Sequence, residues 1–473
     1  MTTSVSTASP SFTKRERKAL FRLMLPILAT QLAQIGMGTI DTLMSGHVST
    51  RDLAAVAVGT SVWLPVWLFL AGILVAVSPL AANLNAAINK PSGQRSGASA
   101  LPDLLATTLF VGLIAGILAG ILLWLGASFV NWLIDDPVTA RISADYLLAI
   151  ALGFPAVGVF LAYRYYAEAL NQPIHVTGVM LIGLLANIPL NAVFVYGWFG
   201  LPEMGGVGCG IASSLVFVGM AFAMARNTRK HRIPAHYALV KRCLQPDFAQ
   251  VRKLLRIGVP IGLAIFFEVS LFTTVALFLT DLGPVVVAGH QVAINVSSLT
   301  FMVPLSLGMS LTVRVGHYLG SDDPQSAKQA SWLGVRLNLA LAVVNALLIT
   351  FLATPIATLY SPDHQVVQLA ASLLLYAAVF QLSDATQVAA AGALRAYHDT
   401  FVVMLITFIA YWPLGMGSGY LLAFHGITAL DIPAAGAQGF WTGLIIGLSC
   451  AAIALTIRLR VICQRTSASS AMP

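Results

Sequence analysis

The chain has 473 residues, 58% of them hydrophobic and only 9% charged, with a mean hydropathy of +0.84. Soluble domains carry about 25% charged residues, so this composition excludes a soluble fold and describes an integral membrane protein. The net charge of +8 does not point to nucleic acid as a partner, because the basic residues sit in short clusters between apolar runs, the pattern of membrane topology.

Residues 1–19 read as a polar cytoplasmic tail ending in "KRERK". The apolar run behind it is too long for a signal-peptide core and lacks an A-x-A site, so it is expected to be retained as the first membrane helix. A span needs about 20 apolar residues. Twelve stretches qualify: 20–46, 53–78, 101–125, 143–170, 174–199, 206–226, 251–280, 284–312, 328–356, 364–395, 399–425 and 434–459. The predicted organisation is a first lobe over 20–226, a cytoplasmic loop over 227–250, a second lobe over 251–460 and a cytoplasmic tail over 461–473. All 26 basic residues except Arg51 and Arg141 fall on one side of this arrangement, Lys90, Arg95, Arg164, Arg314 and Arg395 included. That side is the cytoplasm, and both termini are expected there.

The two halves resemble each other. "LPILATQLAQIGMGTIDTLMSGHVSTRDLAAVAV" from Leu25 lies over "VPIGLAIFFEVSLFTTVALFLTDLGPVVVAGHQV" from Val259, which sets Pro26 on Pro260 and Leu43 on Leu277. Two six-helix copies then share one membrane orientation, and duplicated bundles of this kind hold their substrate between the copies. The fold class expected is therefore an all-α integral membrane protein, its twelve transmembrane helices forming two pseudo-symmetric six-helix lobes around a central cavity.

Three acids lie inside predicted spans: Asp41, Glu268 in "AIFFEVSLF" and Asp384 in "VFQLSDATQV". A charged Asp at the bilayer centre costs about 2.5–3.5 kcal/mol even on a lenient insertion scale, and no lysine or arginine is expected at the same depth. Thr30, Gln34, Gly38, Asp41 and Ser45 recur at helical spacing and predict a small polar stripe on the first helix. Asn187 and Asn191 share a face of the fifth helix around Pro189. Gln381 and Gln387 flank Asp384, whereas Glu268 has only apolar company. Desolvation disfavours a charged carboxyl, so the three acids are expected to exchange a proton, or a proton for a metal cation, in each cycle. In the repeat register Glu268 falls on Gln34 and Asp41 on Val275, so the acids are not copies of one ancestral site. Tyr376 and Phe380 share a broad face with Asp384, an arrangement suited to an organic cation or to plain packing. Cys209, Cys243, Cys450 and Cys463 form no metal or disulfide pattern. There is no P-loop, G-x-S-x-G or H-E-x-x-H motif, and neither an enzyme nor nucleotide-driven transport is expected.

"LPILATQLAQIGMGTIDTLMSGHVSTRDLAAVAVG", "FMVPLSLGMSLTVRVGHYLG", "AEALNQPIHV" and "GGVGCGIAS", in that order over residues 15–460, resemble the multidrug and toxic compound extrusion transporters. The presence of both Glu268 and Asp384 is similar to the NorM subfamily. No cofactor is expected, and a monomer is expected although nothing in the sequence fixes the oligomeric state. The resemblance implies a bacterial inner-membrane antiporter exporting cationic amphipathic drugs, dyes and fluoroquinolones in exchange for H+ or Na+. It implies cation or proton coupling at Asp41, with Asn187 and Asn191 beside it, and a second-lobe cation site at Glu268 and Asp384, which would be metal ligands if Na+ is the coupling ion. Gln34, Tyr376 and Phe380 are the remaining cavity candidates; the family often has tyrosine where this chain has Phe380. A lipid-linked oligosaccharide flippase of the same superfamily is the rival reading, but its anionic substrate calls for a basic cavity.

Overall fold

The computed structural model describes residues 10–88, 100–230, 242, 243, 245–426 and 433–469. Lys90, Arg95, Asp431, the middle of the expected 227–250 loop and the two chain ends lie outside them. The described residues form helices and connecting turns, with no strand among them. The first half holds α1 (Pro10–Val48), α2 (Thr50–Leu74), α3 (Val77–Ile88), α4 (Ala100–Leu133), α5 (Pro137–Ala151), α6 (Phe154–Ala169), α7 (Pro173–Val195) and α8 (Gly206–Lys230). The second holds α9 (Phe248–Phe278), α10 (Pro284–Gly320), α11 (Pro324–Tyr360), α12 (His364–Ala396), α13 (Thr400–His425) and α14 (Gly436–Ser469).

Among the described residues, eleven helical runs are long and apolar enough to cross a membrane, and α5 with α6 makes a twelfth across a bend of 48°. The sequence predicted one membrane stretch over 143–170, long enough to tilt or kink. It breaks at Leu152 and Gly153 because Pro155, in the first turn of α6, has no amide to offer the carbonyl of Ala151. The stretch predicted over 53–78 turns at Val75 and Ala76, ahead of Pro79, and continues as α3 to Ile88. Several helices also outrun the predicted apolar stretches, as α1 does with its polar first turns from Pro10.

Many loop acids serve as helix caps. The Asp136, Asp323 and Asp363 carboxylates accept the backbone N–H of Thr139, Ser326 and Gln365 at 3.3, 2.9 and 2.8 Å. Proline follows immediately in the first two cases, fixing φ where an amide would have no helical partner. The Thr139 hydroxyl, 2.6 Å from Asp136, together with the cap bond and the charge of Arg51, holds the Asp136 carboxyl below its usual range.

The chain divides into two compact units, Pro26–Leu263 and Ala264–Pro473 with Met1–Leu25. In the first, α4 and α6 cross in near backbone contact: a Cβ added to Gly158 would lie 1.9 Å from the carbonyl oxygen of Gly112, so only glycine fits there. In the second, Trp441, Tyr411, Phe440 and Phe380 build an aromatic core. A second core joins Leu20 and Met24 to Leu307, Leu311 and Val315. Beside it the fully buried Glu16 takes a two-pronged bond from Arg314, at 2.8 and 2.6 Å, and the Tyr318 hydroxyl at 2.7 Å. Arg314, counted in the sequence as a topology marker, is thus held in an ion pair.

Candidate functional site

In the Pro26–Leu263 unit the site is built on Asp41 of α1, which is 6% exposed. One turn of α7 places Asn187 and Asn191, both fully buried, against it; their amides donate to Asp41 Oδ1 at 3.2 and 2.6 Å. The Asn191 amide also donates to Asn187 Oδ1 at 3.1 Å, locking the pair. From α8 the Ser213 hydroxyl donates to Oδ2 at 2.8 Å, and one turn earlier Cys209 Sγ reaches the Asp41 backbone carbonyl at 3.5 Å. Tyr146 of α5 lies within electrostatic reach, its hydroxyl taking the Trp63 indole N–H at 3.0 Å. Neutral donors therefore offset the loss of water around this carboxylate, and no Lys, Arg or His stands at ion-pair distance from it among the described residues.

The stripe predicted on α1 is not a single network. Thr30 bonds Thr177 at 3.1 Å and the Pro26 carbonyl at 3.0 Å. Gln34 turns its carbonyl to Arg164 Nη1 at 3.4 Å, and Gln31 accepts from Nη2 of the same arginine. Arg164 lies in the closing turns of α6, near the helix end where the sequence placed it, but it is 2% exposed and so buried within the unit rather than free at a surface. Glu168, also 2% exposed, neutralises it at 3.0 Å. This i,i+4 pair on α6 had the spacing of an ordinary exposed helix pair, which concealed its burial.

In the other unit Glu268 of α9 and Asp384 of α12 come within electrostatic reach of each other. Glu268 keeps some accessible surface, whereas Asp384 is 2% exposed. Glu268 was expected to have apolar company alone; the charges of Asp384 and Arg395 both act on it. Gln387 donates to Asp384 Oδ1 at 3.2 Å, and Gln381 spends its amide on Thr300 Oγ1 at 2.7 Å and the Ser297 carbonyl at 3.2 Å. Phe380 packs edge-on against Phe272 and Trp441, each with ring centroids 5.9 Å away, and Tyr376 lies partly buried against the same core. No cluster of three or more His, Cys, Asp or Glu side chains is present among the described residues.

Sequence reasoning missed Ser213, Cys209, Tyr146 and the Arg164–Glu168 pair. Cys209 and Ser213 stand one turn apart on a face of small residues, the one signal that α8 approaches another helix closely.

Among the described residues the chain is helical, with eleven or twelve apolar runs long enough to cross a membrane and acids buried among them, the make-up of a membrane transport protein. The MatE family model matches it twice, over residues 26–193 and 260–421. A probable multidrug resistance protein NorM of Shewanella oneidensis is 43% identical over 447 residues, 94% of this chain and 95% of that one. The multidrug resistance protein MdtK of Pectobacterium atrosepticum is 41% identical over 96% of this chain and 97% of its own length. Among solved structures, the eukaryotic MATE transporter AtDTX14 superposes with a TM-score of 0.82 over 97% of this chain and 100% of its own, at 17% identity. The chain belongs to the MatE family of transporters.

Proposed function

We propose that this protein is a multidrug efflux antiporter of the bacterial inner membrane, with both termini cytoplasmic. It acts as a monomer, exporting cationic amphipathic drugs, dyes and fluoroquinolones by alternating access in exchange for H+ or Na+. The bacterial relatives are named as multidrug resistance proteins, which supports the substrate class. The observation that carries the mechanism is that Asp41 is buried inside a membrane span and held by amides and a hydroxyl, with no cation paired to it among the described residues. A carboxylate so arranged is stabilised enough to persist, yet its charge is left for a mobile cation.

Competition for such charges couples the two fluxes. Facing the cytoplasm, the ionised acids attract a drug cation to apolar and aromatic walls such as the partly buried Tyr376. Facing outward, protons or Na+ neutralise Asp41, Glu268 and Asp384, and the drug departs. Each charge carried inward through 100 mV contributes about 2.3 kcal/mol, about fiftyfold in a concentration ratio. The flippase reading fits less well: its anionic substrate needs free basic groups, and the fully buried Arg164 is already neutralised by Glu168.

Ethidium efflux from cells expressing Asp41→Asn, Glu268→Gln or Asp384→Asn tests the reading. Each variant is expected to lose most of its efflux at normal membrane abundance. Wild-type efflux in all three would remove the acids from the mechanism.

A further inference from the structure

Asp52, in the first turn of α2, is 9% exposed, and both of its carboxylate oxygens are occupied. The Ser49 hydroxyl donates to Oδ2 at 2.5 Å and accepts the Asp52 backbone N–H at 3.0 Å, a local cap of α2. Oδ1 serves a different helix. It accepts the backbone N–H of Gly206, 154 residues away, at 2.7 Å. Gly206 is the first residue of α8, and a first-turn amide has no partner within its own helix. A carboxylate there also meets the positive end of the helix dipole. The approach is close: Gly205 has a φ of +53°, and a Cβ on it would lie 2.3 Å from Asp52 Oδ1, so only glycine fits. The same turn is tied to α7, where Met204 and Gly205 donate their backbone N–H groups to the carbonyls of Phe194 and Val195 at 3.1 and 3.2 Å.

We propose that Asp52 is a positioning residue for the Asp41 site: it fixes the first turn of α8 so that Ser213 meets the Asp41 carboxylate. Gly206, Cys209 and Ser213 are spaced three and four apart and so share one face of α8. Asp52 holds the first of them, Cys209 Sγ meets the Asp41 backbone carbonyl, and the Ser213 hydroxyl meets Asp41 Oδ2 at 2.8 Å. Clamp and site are about 10 Å apart along the helix axis, so a shift or rotation of the first turn is passed on to Ser213. Its bond to Asp41 weakens steeply as distance and angle depart from the ideal. With α7 tied to the same turn, the helices that supply Asn187, Asn191 and Ser213 are held in one register. All of these residues lie in the Pro26–Leu263 unit. This inference rests on the reading of Asp41 as a coupling site.

The test compares Asp52→Ala, Asp52→Asn, Ser213→Ala and the double variant of Asp52→Ala with Ser213→Ala in the full-length protein. Two quantities are measured: the initial rate of ethidium transport in inverted vesicles, and the infrared carboxyl band of Asp41, assigned as the one missing from Asp41→Asn. Asp52→Ala is expected to lower transport about tenfold, as Ser213→Ala does, and to move the band in the same direction. Asp52→Asn, whose amide oxygen still accepts the Gly206 N–H, is expected to recover most of both. Because the two residues act through one bond, the double variant is expected to be no worse than the lower single one. Losses that multiply to about a hundredfold, or a band moved by Ser213→Ala but unmoved by Asp52→Ala, would overturn the proposal. Wild-type transport by Asp41→Asn would instead overturn the coupling reading beneath it, whatever Asp52 does. Should Asp52→Ala misfold, Ser49→Ala removes the hydroxyl that steadies Oδ2 and leaves Asp52 in place. A smaller band shift in the same direction is then expected, and an unmoved band contradicts the proposal.

Discussion

At Asp41 three side chains from two other helices converge on one carboxylate, and their contributions are separable. Ser213→Ala removes the donor to Oδ2 at 2.8 Å. A hydrogen bond to a charged group contributes about 1.5–3 kcal/mol, so this change is expected to reduce drug efflux about tenfold while leaving the amides on Oδ1 in place. Asn187→Ala is expected to do less, because its 3.2 Å bond is the longer and Asn191 remains; initial efflux rates in inverted vesicles check both. The asparagines were legible in the sequence because residues four apart on a helix share a face. Ser213 was not, since only tertiary packing brings a serine 172 residues away to Asp41.

At the scale of the helix, the buried pair Arg164 and Glu168 makes an energetic claim. Removing one member of a buried ion pair leaves a lone desolvated charge and costs about 3–5 kcal/mol, whereas replacing both with apolar residues is often neutral. Glu168→Gln is accordingly expected to lower the melting temperature in detergent clearly, and Arg164→Met with Glu168→Leu to recover most of the loss. A double variant as unstable as the single one would mean that Gln31 and Gln34, which also bind the arginine, depend on the guanidinium for their own satisfaction. Element existence was readable from runs of apolar residues and their bounding polar loops. Element shape was less so. Pro155 read as one residue inside a long apolar stretch, and only the missing amide bond to Ala151 turns that stretch into two helices bent by 48°. Likewise the first turns of α1 looked like a charged tail, yet Glu16 is fully buried against Arg314 and Tyr318.

At the scale of the whole molecule, the repeat found by aligning Pro26 with Pro260 reappears in the family matches, which begin at residues 26 and 260. The two units nevertheless carry different acid chemistry: one carboxylate under amides and a hydroxyl, against two carboxylates near an arginine. That difference was legible from the register that sets Glu268 on Gln34, while Arg395 was hidden by its position close to a helix end. Proteoliposomes with imposed gradients check which ion drives transport: an inwardly directed gradient of H+ or of Na+ is expected to drive ethidium flux through wild-type protein, and Glu268→Gln is expected to remove that component. The central claim is that drug and coupling ion compete for the same buried negative charge. Its most direct test is the affinity of purified protein for ethidium, measured across pH and Na+ concentration. Affinity that falls as protons or Na+ are added, with the fall abolished by Asp41→Asn, Glu268→Gln and Asp384→Asn together, is the predicted result; affinity indifferent to both ions would contradict it.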